Sequence, residues 1–159
     1  MATFIERQLT LLGSQDPVEV LRATPARLAA LVERLGTAGM RRSREAGKWS
    51  GAQVLAHLAD MEIVFAYRIR QAIAETGHVF QLVDQDRWAH RYAEVDVASG
   101  LAALAGLRGW NLSLLATLDA AQRERQYVHP ERGGETLDKL LRIWAGHDLN
   151  HCAQIEALL

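Results

Sequence analysis

The chain has 159 residues, 49% hydrophobic and 23% charged, and its 18 basic and 19 acidic side chains give a formal net charge of -1. That composition suits a single soluble domain over residues 1–159 with a core of its own, and the charge balance excludes a global electrostatic footprint for nucleic acid. One cysteine, Cys152, excludes an internal disulfide framework and a cysteine-rich zinc site, and fits a reducing compartment.

The N-terminus, Met1-Ala-Thr-Phe-Ile-Glu-Arg, acquires charge too early for a secretory signal. No uncharged apolar run approaches the ~20 residues of a membrane span. A cytoplasmic protein without membrane partners is expected. Asp16-Pro17-Val18-Glu19 reads as an N-cap, an N1 proline and a first-turn acid. The helix it opens carries Val20, Leu21, Leu28, Leu31, Val32 and Leu35 and ends near Gly36. Pro25 within it predicts a kink, or a restart with Thr24 as cap. The basic stretch Arg41-Arg42-Ser43-Arg44-Glu45-Ala-Gly-Lys48 reads as a solvated loop rather than a phosphate-binding patch.

Trp49-Ser50-Gly-Ala-Gln53 is a capping box, followed by apolar residues at three- and four-residue steps through Val54, Leu58, Met61, Phe65, Ile69 and Ala72 to Gly77. Residues 78–95 lack a sustained period and read as an ordered crossover, with a helical turn or two turning Trp88 and Tyr92 inward. A connection of this length lets consecutive helices run in non-alternating directions. Asp96 caps a third helix carrying Leu101, Leu104, Leu107, Trp110 or Leu112, Leu115 and Leu118. The turn cluster His129-Pro130-Glu-Arg-Gly133-Gly134 then leads to Thr136, which caps the last helix. No strand pattern stands out, so the expected fold is all-α, a four-helix bundle with a long crossover between its second and third helices.

The last helix carries an inward stripe of Leu140, Ile143, Trp144, His147, His151, Gln154, Ile155 and Leu158. Histidines four apart lie one above the other on one face, the spacing at which two imidazoles hold one metal ion. Buried imidazoles that find neither a hydrogen-bond partner nor a metal cost about 1 to 3 kcal/mol each. The pair alone reads equally as hydrogen-bonded core residues. A third histidine on a neighbouring helix would decide for metal, and His57 is the one in a long helix placed to supply it.

Three stretches resemble the DinB-like family of metal-dependent four-helix bundles, in its metal-hydrolase and thiol-transferase branch. They are Trp49-Ser50-x-x-Gln53-Val-Leu-Ala-His57-Leu-Ala-Asp60, Arg108-x-x-Asn111-Leu-x-Leu-Leu and His147-Asp148-x-x-His151-x-x-Gln154-Ile155. Pro25-Ala-Arg-Leu and His129-Pro130…Gly134-x-Thr136-Leu137 also fit, extending the resemblance over residues 20–157. It implies a divalent ion, nickel or zinc, held by His57, His147 and His151. Three neutral imidazoles leave a position open, the pattern of a catalytic rather than a structural site. An ion so held activates water for hydrolysis, or a low-molecular-weight thiol for transfer to a small-molecule substrate.

Asp148 directly follows the first histidine, where a zincin motif has its glutamate, but points about 100° away. It reads as an outer support for a ligand or a surface residue rather than a base. Asp60 is either an exposed acid or the group that fixes the His57 tautomer. Gln154 either faces metal-bound water or packs in the bundle. Arg108 is either a buried partner for a carboxylate or an anchor for an anionic substrate. His129 reads as a turn residue rather than a fourth ligand, His78 and His90 as solvated, and Cys152 as a small packing residue. Trp49, Trp88, Trp110 and Trp144 read as core and hinge fillers, with Trp144 also placed to wall a pocket. The alternative to an enzyme is a non-catalytic, stress-associated bundle whose histidine site is structural or vestigial. Apolar faces left over beyond the core would suit a homodimer.

Overall fold

The computed structural model describes residues 3–159; Met1 and Ala2, at the start of the stretch read as unsuited to a secretory signal, lie outside the described residues. The helices are α1 (Phe4–Leu12), α2 (Pro17–Met40), α3 (Gly51–Ala74), α4 (Gln85–Ala89), α5 (Val97–Leu115), α6 (Ala120–Arg123) and α7 (Leu137–Glu156). A 3-10 turn at Tyr92–Glu94 precedes α5, and a hairpin of β1 (Gln126–His129) and β2 (Gly133–Thr136) precedes α7. The anticipated caps are in place. Asp16 accepts from the Val18 and Glu19 amides, Ser50 and Gln53 form a reciprocal capping box, and Asp96 and Thr136 cap α5 and α7.

Helices α2, α3, α5 and α7 form the bundle, with α2 and α3 each packed against both α5 and α7. Arg142 reaches the Gly13 carbonyl just ahead of α2, and Arg27 pairs with Glu156 further along both helices, so α2 and α7 run parallel. Glu62 meets Arg108 and Arg70 meets Asn111, so α3 and α5 also run parallel. Phe65 stacks on Trp144 while His57 lies against His151, which makes α3 and α7 antiparallel. The order is therefore up-down-down-up. The 24 residues of α3 span roughly 36 Å at 1.5 Å per residue, a length the crossover must regain before α5 starts. Its first part lies on the hairpin, through hydrogen bonds from Gly77 and Phe80 to the Gln126 and Val128 carbonyls. Its last part hangs on α3 through Tyr92 Oη, which donates to Asp60 at 2.8 Å.

Four expectations are corrected. Helix α1 was not anticipated: it carries its own Thr3–Glu6 capping box and packs on α7 where Gly146 offers no side chain. The hairpin is β-structure in four-residue strands, too short to show an alternation in sequence. Helix α2 stays helical through Pro25 and continues to Met40, its break falling at Gly36, where φ is 61°. Thr24 caps nothing, since its hydroxyl donates to the Val20 carbonyl. Finally, Tyr92 is buried, but Trp88 and Trp110 are exposed.

Two apolar clusters fill the bundle, and a polar layer separates them. One groups Leu21, Phe65, Ile69, Leu115, Leu140 and Trp144; the other groups Leu28, Leu55, Leu58, Leu104, Cys152 and Ile155. Between them on each helix in turn stand Thr24, Glu62, Arg108 with Asn111, and Asp148, all buried. Pro25 has no N–H to offer the Leu21 carbonyl four residues back, and Arg108 Nη1 donates to that oxygen at 2.5 Å. Arg108 also binds Glu62 through Nε and Nη2 and lies 2.8 Å from Asp148 Oδ2. Asn111 Nδ2 donates to Glu62 Oε2 at 3.3 Å. The cation thus hydrogen-bonds Glu62 and the proline-freed carbonyl and offsets Asp148 by charge alone, since neither Asp148 carboxylate oxygen accepts a hydrogen bond among the described residues.

Candidate metal centre

His57, His147 and His151 come together at the edge of this layer. His57 enters on the second turn of α3, whose register is set by the Ser50 capping box. The other two project from successive turns of α7, and all three are buried. The Nε2 atoms converge, at 3.0 Å between His57 and His147 and 3.1 Å between His147 and His151. Bonds of about 2.0–2.1 Å at a tetrahedral angle separate two ligand nitrogens by roughly 3.3 Å. The donor set therefore fits a single small cation. Among the described residues this is the one group of three or more histidine, cysteine or acidic side chains whose ligand atoms lie within 4.8 Å of one another.

Protons alone do not satisfy the cluster. Gln154 Oε1 lies 2.8 Å from His151 Nδ1, which places the proton there and turns the Nε2 lone pair inward. A proton on His147 Nε2 then serves only one of its two neighbours, and without that proton two lone pairs meet. Among the described residues, the Nδ1 atoms of His57 and His147 have no hydrogen-bond partner. Burial, followed by the neighbouring His151, lowers the His57 pKa to about 3. Burial lowers His151 to about 4 against the opposing pull of Gln154, and His147 lies well below its ordinary value for the same reason, reinforced by His151, His57 and Arg108. All three imidazoles are neutral at pH 7, the form that ligates metals.

A cavity of about 460 Å³ opens beside His151. Its walls include Gln154 from α7, Trp49 ahead of α3, and Arg44, Glu45 and Lys48 from the loop joining α2 to α3. Trp49 also covers His57, with ring centroids 5.1 Å apart, and meets Tyr92 edge-on at 5.9 Å. The loop is held over the end of α7 by a hydrogen bond from Arg42 Nη2 to the Leu158 carbonyl at 2.9 Å and by a Ser43–Ser50 bridge.

The other candidates sort by contact. Asp148 is fully buried and faces Arg108; it supports none of the histidines and is no surface residue. Asp60 is taken by Tyr92 and fixes no tautomer. Arg108 is the buried carboxylate partner, enclosed and away from the cavity. Trp144 is core, stacked on Phe65 at 4.7 Å and beneath the Arg108 guanidinium. His129 sits at the end of β1, where Arg132 Nη1 approaches its Nε2 at 2.8 Å, remote from the cluster. His90 is exposed, whereas His78 is only partly so and lies 2.8 Å from Glu75 Oε2. Burial pushes the Cys152 thiol up to about 12, as befits a packing residue. Sequence reasoning missed Trp49 and the charged loop as cavity walls; the Trp49–Ser50 junction was readable as a helix start, but not what it would face.

Fold and site together define a four-helix bundle whose three-histidine cluster is capable of coordinating a divalent metal ion. The chain belongs to the DinB superfamily, whose model matches residues 21–155. It is 32% identical over 117 residues to a protein of Oceanobacillus iheyensis named "Putative metal-dependent hydrolase OB0782", covering 73% of this chain and 68% of that one. It is 28% identical over 144 residues to "Putative metal-dependent hydrolase YfiT" of Bacillus subtilis, covering 89% and 81%. The solved structure of YfiT superposes with a TM-score of 0.84 over 89% of this chain and 83% of that one, and is described as having "an unusual four-helix bundle topology". The fold found here is an all-α four-helix bundle of the same type.

Proposed function

We propose that this chain is a metal-dependent enzyme in which His57, His147 and His151 hold one divalent ion, nickel or zinc, beside a substrate cavity. The observation that carries the reading is the convergence of three buried, neutral Nε2 atoms that no arrangement of protons satisfies. Such an ion supplies Lewis acidity, lowering the pKa of a water or thiol that it binds. The chain's own part is to fix the imidazole lone pairs, through Gln154 for His151, and to exclude bulk water with Trp49 and Tyr92. The cavity at His151 and the separation of His129 from the cluster support an open, catalytic site over a closed structural one.

Hydrolysis of a small molecule is the leading chemistry, in keeping with the names of the relatives. A second reading, transfer of a low-molecular-weight thiol, is favoured by one observation: Asp60 and Asp148, the acids nearest in sequence, are committed to Tyr92 and Arg108. A metal-activated thiol attacking an electrophile needs less help from a carboxylate base than water does.

The test is metal content by elemental analysis of wild type, His147→Ala and His151→Ala, followed by turnover on ester, amide and electrophilic substrates with and without added thiol. One ion per chain in wild type and its loss in both variants is expected; unchanged stoichiometry contradicts the site.

A homodimer in a reducing cytoplasm belongs to the same reading. From Val97 to Leu118 the one charged residue is the buried Arg108, while Trp110 is exposed, a face suited to a second copy. Among the described residues no helix is long and apolar enough to cross a membrane. Light scattering at micromolar concentration reads the mass directly, and a monomer would remove this part.

A further inference from the structure

The loop between α2 and α3 brings two cations to the cavity without giving them partners. Arg44 and Lys48 both line the cavity wall that includes His151, and among the described residues neither side chain makes an ion pair or hydrogen bond. Several cations elsewhere are paired, Arg27 with Glu156, Arg132 and Lys139 with Glu135, and Arg108 with two acids; what distinguishes Arg44 and Lys48 is that both stand on the cavity wall. The one acid on the cavity wall, Glu45, is likewise unpaired, so the wall carries two positive charges and one negative charge. The loop is also fixed in place. Arg42 ties it to the Leu158 carbonyl, the Gly51 amide donates to the Arg42 carbonyl at 3.2 Å, and the Lys48 amide closes a turn on Glu45 at 3.2 Å.

A cavity of about 460 Å³ accommodates a small molecule and no macromolecule. Its chemistry is divided. Its wall combines the His151 imidazole and Gln154 of α7, the Trp49 ring ahead of α3, and the two loop cations. We infer that the ligand of this site is an anionic small molecule, its carboxylate or phosphate group held by Arg44 and Lys48 while its reacting group reaches the histidine cluster past Trp49. The inference rests on the metal-centre reading above and assigns the substrate class that this reading leaves open. Arg44 offers a planar fork that matches an oxyanion, and Lys48 adds a mobile point charge. Glu45 beside them opposes an anion and sets a sign that the test exploits.

The experiment uses the full chain loaded with cobalt(II), whose absorption changes when a thiol ligates it. Mercaptosuccinate is the anionic probe and 2-mercaptoethanol the neutral one, each titrated into wild type, Arg44→Gln, Lys48→Gln, the double variant and Glu45→Gln. These are exposed loop side chains outside the apolar core, so the variants keep the fold, which circular dichroism verifies. The expected result is that each cation removed weakens mercaptosuccinate by about five- to tenfold. Glu45→Gln strengthens it severalfold, and 2-mercaptoethanol changes by less than twofold throughout. Equal loss of both probes, or mercaptosuccinate binding unchanged in the double variant, overturns the inference, since any preference for the anion would then come from the metal's own charge. Failure of the metal-centre reading is separate: no cobalt is retained and neither thiol gives a spectral change. Inorganic phosphate and succinate, added as competitors of 2-mercaptoethanol, distinguish a phosphate from a carboxylate group by which displaces it at lower concentration in an Arg44- and Lys48-dependent way.

Discussion

Arg108 Nη1 and Asp148 Oδ2 lie 2.8 Å apart inside the bundle, one residue beyond His147 on α7. Through this contact, α5 fixes the rotation of the helix that presents two of the three histidines. The same guanidinium binds Glu62 on α3 and the Leu21 carbonyl that Pro25 frees on α2, so all four bundle helices meet at one side chain. Arg108→Leu leaves two acids buried without a cation and is expected to cost about 3–5 kcal/mol. Urea unfolding of the chelator-treated protein measures it, and a loss under about 1 kcal/mol would contradict this role.

Gly146 is the point at which α1 docks. A Cβ there would stand 2.1 Å from the Gln8 carbonyl oxygen, a contact that backbone cannot yield to cheaply. Alanine normally stabilises a helix interior over glycine by about 1 kcal/mol. Gly146→Ala is expected to destabilise instead, by about 2 kcal/mol, with loss of amide protection confined first to residues 4–12. Gly109→Ala on α5, with nothing within 4 Å of the added methyl, is the control and is expected to stabilise by ~0.5–1 kcal/mol.

Gln154 fixes the His151 proton on Nδ1, 2.8 Å from its Oε1. Gln154→Ala removes that orientation without touching a ligand atom. Metal affinity is expected to fall about 10- to 100-fold, read by competition with a chelating dye, and imidazole nitrogen shifts of His151 should show both tautomers in the metal-free protein. An unchanged affinity would mean that packing alone orients the ring.

Acid should weaken the metal-free protein through its histidines. His57 is held down to about 3 and His151 to about 4, burial being the main cause in each. In the unfolded chain each titrates near 6.5. Unfolding below that pH takes up protons, so this stability is complete above about pH 6.5 and is lost as pH falls towards 4. The slope is up to about 1.4 kcal/mol per pH unit for each histidine. Burial raises Glu62 and Asp148 despite the Arg108 charge, and these work in the opposite direction. His147, lowered by burial and by its neighbours as well, contributes in the same sense, and its share is the slope difference between wild type and His147→Leu in urea unfolding from pH 7.5 to 4.5. Parallel curves would contradict the buried neutral state.

What the sequence disclosed and what it withheld divide by the range of the interaction. Caps at Asp16, Ser50, Asp96 and Thr136 act within three residues, and the His147–His151 register follows from helix periodicity, so all were legible. The Thr3–Glu6 box announced α1 in the same language and was passed over because nine residues carry little periodicity. Pro25 looked like a kink because its missing N–H was visible and the donor that replaces it, Arg108 on another helix, was not. Asp60 and Asp148 were read from their spacing to the histidines, but their partners, Tyr92 and Arg108, lie 32 and 40 residues away and were set by tertiary packing. The charged loop at 41–48 was rightly taken as exposed; that it closes a cavity depends on where the end of α7 arrives.

On the reading proposed above, His57, His147 and His151 hold one divalent ion with a position left open towards the cavity. Anomalous diffraction from crystals of the metal-loaded protein, recorded on both sides of the metal's absorption edge, locates that ion. A single strong peak within about 2.0–2.3 Å of all three Nε2 atoms, with no fourth protein ligand, is the predicted result. A peak held by other side chains, a closed four-residue coordination, or no peak after loading would contradict it.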